Sequence, residues 1–202
     1  MKLLVATRSA GKQREMARVL EGAGHEIVFP DDAGVYESAT EDALELGETF
    51  EANARLKAEY FVKRSGLPTV ADDSGLEVFS LGGAPGVRSK RWAGATGSAA
   101  EIDAANNEEL RRRLLGAEES RRRARYRCVL VLLRTPSSLP EIFEGSCTGT
   151  IVTEPRGSSG FGYDPWFLSD ELGKTFGEAT ADEKAAVSHR GRALAKLIPA
   201  LG

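Results

Sequence analysis

Apolar runs and helically spaced apolar positions alternate along this chain. Lys2 to Ala6 forms a short apolar run that predicts a buried strand, and Met16, Val19, Leu20 and Ala23 recur at helical spacing, predicting a helix over Gly11 to Leu20. His25 to Phe29 reads as a second strand, closed by a turn at Pro30, Asp31, Asp32 and Gly34. Thr49 is placed to cap a helix that runs to about Arg64 and stops before Gly66 and Pro68. Val70 and Ala71 carry a strand onto Asp72 and Asp73, Ser74 and Gly75 read as a turn, and Leu76 to Leu81 reads as the next strand. Gly82 to Gly86 is loop. A helix over Glu101 to Leu115, a strong strand over Tyr126 to Arg134 and a strand over Ile142 to Val152, interrupted by Gly145 and Gly149, follow. After the glycine-rich loop Gly157 to Asp164, Glu183 to Leu197 reads as one closing helix. The order strand, helix, strand at the start predicts an α/β architecture.

Four features of this pattern carry chemistry. On the second helix, Phe50, Ala54, Ala58, Phe61 and Val62 define an inward stripe, yet Asn53 and Lys57 fall on it at i+3 and i+7. An ammonium turned toward a core requires an anionic partner, and the candidates are the Asp72 and Asp73 pair or a bound phosphate; a lysine that snorkels past Ala58 is the plain alternative. Adjacent carboxylates leaving a strand point in different directions, so one can bind a cation or water while the other anchors the turn. An Asx-type turn would use the same residues without any ligand. Thr7 to Lys12, TRSAGK, follows a buried strand and opens a helix, where backbone N–H groups, two hydroxyls and Lys12 can converge on a phosphate or merely cap the helix. Near the end, Phe161, Tyr163 and Trp166 offer ring faces beside Gly160 and Gly162, and Lys184, His189 and Arg190 add donors.

The chain has 202 residues, 41% hydrophobic and 28% charged, ordinary values for a globular chain and consistent with one domain over 1–202. Its longest apolar stretch, Cys128 to Leu133, is far short of the roughly 18 residues that span a bilayer. The N-terminus has no secretory pattern, and the two cysteines, Cys128 and Cys147, lack metal-ligand spacing, so a reducing cytoplasm is expected. A net charge of −3 argues against a chain that coats nucleic acid, and the basic runs Arg111 to Arg113 and Arg121 to Arg125 read chiefly as wet faces.

Taken together, ATRSAGK (6–12), ELGETFEANARLKA (45–58), ADDSGLEV (71–78), LGGAPGVRSKRWAG (81–94), GSSGFGYDPWF (157–167) and EKAAVSHRGRAL (183–194) resemble the non-standard purine nucleotide pyrophosphatases, nearly end to end and in order. That resemblance implies an elongated, two-lobed α/β protein with a long curved mixed sheet flanked by helices, a nucleotide cleft between the lobes, and a homodimer. It implies hydrolysis of dITP, ITP and XTP to the monophosphate and pyrophosphate with Mg²⁺. Carried over, Thr7, Arg8, Ser9, Ala10, Gly11, Lys12 and Lys57 hold the triphosphate, and Glu45 and Asp73 bind the metal, with Asp72 beside them. Asp73 is the general base, assisted by Lys57 and Lys12. Asn53 and Ser74 touch substrate, while Phe161, Gly162, Tyr163, Asp164, Lys184, His189 and Arg190 surround base and sugar. Ser9 stands where the family pattern has Asn, and Ala52 where it has Glu. These departures, with the arginine runs, keep a second expectation open: a nucleotide- or nucleic-acid-binding protein with little catalysis.

Overall fold

The computed structural model describes residues 1–202. Six strands form one mixed sheet in the order β2-β1-β3-β4-β5-β6: β1 Lys2–Val5, β2 Glu26–Val28, β3 Thr69–Val78, β4 Arg123–Leu133, β5 Glu141–Ile151 and β6 Phe167–Ser169. β1 runs parallel to β2, with Leu3 opposite Ile27, and parallel to β3, with Val5 opposite Val70. β5 and β6 are antiparallel. The helices are α1 Ala10–Gly22, α2 Phe50–Ser65, α3 Ala99–Arg113, α4 Ala181–Val187 and α5 His189–Leu201.

The chain divides into two compact units, one of residues 1–73, 128–145 and 189–202, the other of 74–127 and 146–188. In the first unit, Leu3 and Val5 of β1, Met16 and Leu20 of α1, Val70 of β3, Leu130 and Leu132 of β4 and Leu194 and Leu197 of α5 make one apolar core. A central parallel strand is covered on both faces, which is why β1 reads as an unbroken apolar run. α2 begins where Thr49 accepts the Ala52 N–H and ends on Gly66 in the left-handed region, whose N–H reaches the Val62 carbonyl. In the second unit, Leu76, Leu110, Ile151 and Trp166 surround an aromatic cluster, with the Tyr126 and Phe167 rings 4.8 Å apart and Phe167 and Phe176 5.1 Å apart.

Two expectations are corrected. Ser74 and Gly75 do not turn the chain: β3 is one ten-residue strand from Thr69 to Val78, and Phe79–Leu81 is a short 3₁₀ turn. A buried strand supplies its backbone bonds through the sheet, so local turn-forming side chains are overruled. The closing helix is also two helices. α4 starts on a Thr180/Glu183 capping box, Ser188 adopts an extended conformation (φ −70°, ψ 158°), and α5 begins at the next residue. Lys184 thereby belongs to the second unit, and His189 and Arg190 to the first.

Gly145, one of the two glycines that β5 carries without interruption, has a packing cause. A Cβ at Gly145 would lie 2.2 Å from the His189 carbonyl oxygen and 2.6 Å from the Ala193 nitrogen, so α5 rests directly on the β5 backbone. Gly145→Ala is expected to destabilise the protein by about 1–3 kcal/mol, the usual cost of overpacking, or somewhat more, because rigid backbone is the obstacle. Chemical denaturation of both forms measures it.

Candidate active site

Within the first unit, Asn53 and Lys57 stand one helical turn apart on the buried face of α2, and both meet Asp73 of β3. Lys57 Nζ lies 3.3 Å from Asp73 Oδ1 and 3.1 Å from Glu45 Oε1. Asn53 Nδ2 donates to Asp73 Oδ2 at 2.9 Å. Burial alone would lower the Lys57 pKa, but the carboxylates of Asp73 and Glu45 outweigh it and raise it above the ordinary lysine range. The lysine is therefore a fixed cation set between two acids, and it does not snorkel.

Asp72 points to the other face of β3 and has a separate set of partners. Its Oδ2 lies 3.0 Å from Lys12 Nζ and 3.3 Å from a guanidinium nitrogen of Arg190, which also pairs with Glu15. Burial pushes the Asp72 carboxyl up, yet the Lys12 and Arg190 charges prevail and hold it well below the usual carboxylate range. Arg190 is 2% exposed, so it is a core cation that braces Asp72 in the first unit. The expectation placed Arg190 beside the base; here its guanidinium is spent on Asp72 and Glu15. His189 is buried beside it in sequence, at the start of α5.

The expected trio of metal ligands is likewise divided. No group of three or more His, Cys, Asp and Glu side chains comes together that could hold an ion, and Asp72 is committed to Lys12 and Arg190. Glu45 and Asp73, by contrast, aim hard oxygens at one point, marked by the Lys57 ammonium. Mg²⁺ is commonly held by one or two carboxylates completed by water and substrate phosphates, so this pair fits the ion and Asp72 does not.

At the N-terminus of α1, Ser9 occupies the cap position without a side-chain cap bond, and its own N–H donates to Thr7 Oγ1 at 3.2 Å. Ala10, Gly11 and Lys12 form the first turn, where backbone N–H groups favour an anion. Arg8 is occupied differently from expectation. It donates to both oxygens of Glu41, to Asp31 and to the Val35 carbonyl, so it staples the 31–41 segment instead of reaching outward to phosphate.

In the second unit, Lys184 of α4 pairs with Asp164 and lies 5.0 Å from the Phe161 ring centre and 5.4 Å from that of Phe176. Asp164 Oδ2 accepts the Phe161 N–H at 2.8 Å, and a Cβ on Gly160 would strike it, so the loop needs glycine there. Asp103 and Asn107, one turn apart on α3, grip Gly162: its N–H donates to Asp103 Oδ2 at 2.9 Å, and its carbonyl accepts Asn107 Nδ2 at 3.0 Å. Tyr163 is core, with its hydroxyl on the Ser89 carbonyl, and burial pushes its phenol pKa up. Ser74, half-buried, opens this unit. Asp103, Asn107 and Gly47 escaped the sequence reading, since nothing local marks them.

Most arginines of the two runs have partners within the second unit. Arg111 pairs with Glu108, Arg112 and Arg113 pair with Glu109, Arg123 binds Asp170 and Arg125 binds Glu77. No helix is long and apolar enough to cross a membrane.

A family model described as the Ham1 family matches residues 3–200. Curated relatives named dITP/XTP pyrophosphatase include one from Syntrophobacter fumaroxidans, 50% identical over 195 residues (96% of this chain, 79% of the relative). Another, from Halorhodospira halophila, is 47% identical over 199 residues (98% and 96%). Among solved structures, a HAM1 protein from Coxiella burnetii superposes with a TM-score of 0.84 at 36% identity, covering 100% of this chain and 98% of that one. The nucleoside-triphosphatase or dITP/XTP pyrophosphatase from Mycobacterium abscessus gives 0.73 at 45% identity, covering 98% and 100%.

Proposed function

The chain belongs to the Ham1 family, and on that premise we propose how its residues work as a pyrophosphatase that hydrolyses non-standard purine nucleoside triphosphates, dITP and XTP among them. The observation that supports the mechanism best is the Lys57 ammonium fixed between Glu45 and Asp73. Water attacks the innermost phosphorus and pyrophosphate leaves with the departing electron pair. Asp73, whose two oxygens are oriented by Lys57 and Asn53, takes the proton from that water. Lys57 sets a positive charge beside it; a cation about 4 Å from a phosphate oxygen is worth roughly 4 kcal/mol at an effective dielectric of 20, before desolvation. Glu45 and Asp73 would hold Mg²⁺, which when bound neutralises phosphate charge and acidifies water. The first turn of α1 receives phosphate oxygens on its backbone N–H groups, with the Thr7 and Ser9 hydroxyls and Lys12 beside it.

For the base, the second unit offers Lys184 beside the Phe161 ring. An ammonium has only donors, so it suits the six-carbonyl of hypoxanthine or xanthine and leaves the six-amino group of adenine unpaired. This mismatch, worth about 1–3 kcal/mol, predicts kcat/KM for dITP roughly 10–100-fold above that for ATP. The test is incubation with dITP, XTP, ITP, GTP and ATP, with and without Mg²⁺, and chromatographic separation of products. Monophosphate with pyrophosphate, formed only with Mg²⁺, is the expected result. Release of single phosphate, or equal kcat/KM for ATP and dITP, contradicts the reading. The proposal includes work as a homodimer in a reducing cytoplasm, consistent with two buried free cysteines; light scattering on the purified protein reports the assembly.

A further inference from the structure

Asn53 is wholly buried, and both ends of its amide are used. Its Oδ1 accepts the Gly47 N–H at 2.7 Å, and its Nδ2 donates to Asp73 Oδ2 at 2.9 Å. Gly47 lies two residues beyond Glu45, the other carboxylate on Lys57. One side chain thus ties the segment that carries one acid to the strand that carries the other.

That tie matters because the Glu45 segment is held to its neighbours mainly by polar contacts, Thr40 on Tyr60 and Glu45 on Lys57 among them. The 3₁₀ turn Ala39–Glu45 contributes no buried residue, and Leu46 is 73% exposed. Its polar anchors flank Glu45: Arg8 grips Glu41 on one side and Asn53 grips Gly47 on the other. Lys57 attracts both acids, but an ammonium on a four-carbon stem is a rotatable point charge and does not dictate which oxygen faces where. An amide does, since donor and acceptor sit on opposite corners of one plane. The fit also explains the glycine. A Cβ at Gly47 would lie 2.6 Å from Asn53 Oδ1 and 3.2 Å from the Ala52 Cβ.

We propose that Asn53 is a positioning residue, which sets the spacing and orientation of Glu45 and Asp73 through Gly47 and makes no contact with the nucleotide. This corrects the expectation that it touches substrate, and it rests on the reading of Glu45 and Asp73 as the working acids. A displacement near 1 Å in such a pair can cost about 100-fold in rate.

The test compares Asn53→Ala, Asn53→Asp and Gly47→Ala with the parent, by steady-state kinetics on dITP and by hydrogen exchange at the Gly47 amide. Asn53→Ala is expected to lower kcat by about 100-fold with KM changed less than about threefold. Gly47 exchange should speed up by about tenfold, the worth of one net hydrogen bond. Asn53→Asp keeps an acceptor for Gly47 but loses the donor to Asp73, so kcat falls while Gly47 exchange stays near the parent value. Gly47→Ala leaves every catalytic side chain in place and should still lower kcat, which supports the tie even where Asn53→Ala does not fold. A rise in KM that accounts for the whole loss, or Gly47 exchange unchanged in Asn53→Ala, overturns the proposal. Failure of the underlying reading shows separately, as a normal rate in an Asp73→Asn enzyme whose Gly47 amide still responds to Asn53.

Discussion

Asp73→Asn should lower kcat on dITP by about 10³-fold, within the range that a positioned general base contributes, with the thermal midpoint moving by no more than about 5 °C. The substitution keeps the shape of the side chain and an oxygen that can face Lys57, while Glu45 remains on the same ammonium; the hydrogen bond from Asn53 is given up, because the new NH2 faces the Asn53 donor. What disappears is the negative charge that accepts a proton and helps hold a divalent ion. Circular dichroism and steady-state kinetics on the same preparation separate the two effects. A rate near that of the parent would remove Asp73 from the chemistry, and with it the mechanism proposed for the first unit.

Much of this site is legible in the residues themselves. The helical period of α2 places Asn53 and Lys57 among Phe50, Ala54 and Phe61, so an inward polar face follows from spacing alone. The order of strands and helices in the first unit follows from the same periodicity. Partner choice does not. Asp72 and Asp73 are chemically identical neighbours, and what distinguishes them is which face of β3 each takes and what packs there; Arg190 arrives at Asp72 from 118 positions away. Ser188 is a good helix-capping residue, but the apolar positions on either side, Val187 and Ala193, continue a helical rhythm and hide the break. Gly47 and Asn107 act through a loop N–H and a loop carbonyl, contacts that leave no trace in local spacing. At the Ser9 departure, serine holds the cap position of α1 and its hydroxyl makes no cap bond. Ala52 donates its N–H to the Thr49 cap from the third position of α2, where a glutamate would close a capping box of the kind that Thr180 and Glu183 make on α4, so its missing carboxylate removes the reciprocal half of that cap.

Arg190→Met is expected to destabilise the protein by about 3–5 kcal/mol at neutral pH, a large share of the roughly 5–15 kcal/mol that holds a domain folded. The guanidinium is buried against Asp72 and Glu15, and its removal strips cationic partners from a carboxylate that burial alone would disfavour. The acid limb of the stability curve should change with it. Because the folded Asp72 pKa lies below its ordinary value near 4, its stabilising contribution is complete above about pH 4 and is lost as pH falls through the lower folded value. Without Arg190 that pKa rises toward the ordinary range, so less stability remains to lose below pH ~4 and the slope there flattens. Asp72→Asn in the Arg190→Met background should recover part of the loss, since no buried carboxylate is then left with Lys12 as its main partner. Urea titrations at several pH values, with KM for dITP measured alongside, decide between a brace and a base-reading donor. A donor predicts the opposite pattern, an increase in KM at nearly unchanged stability, and that outcome would return Arg190 to the nucleotide.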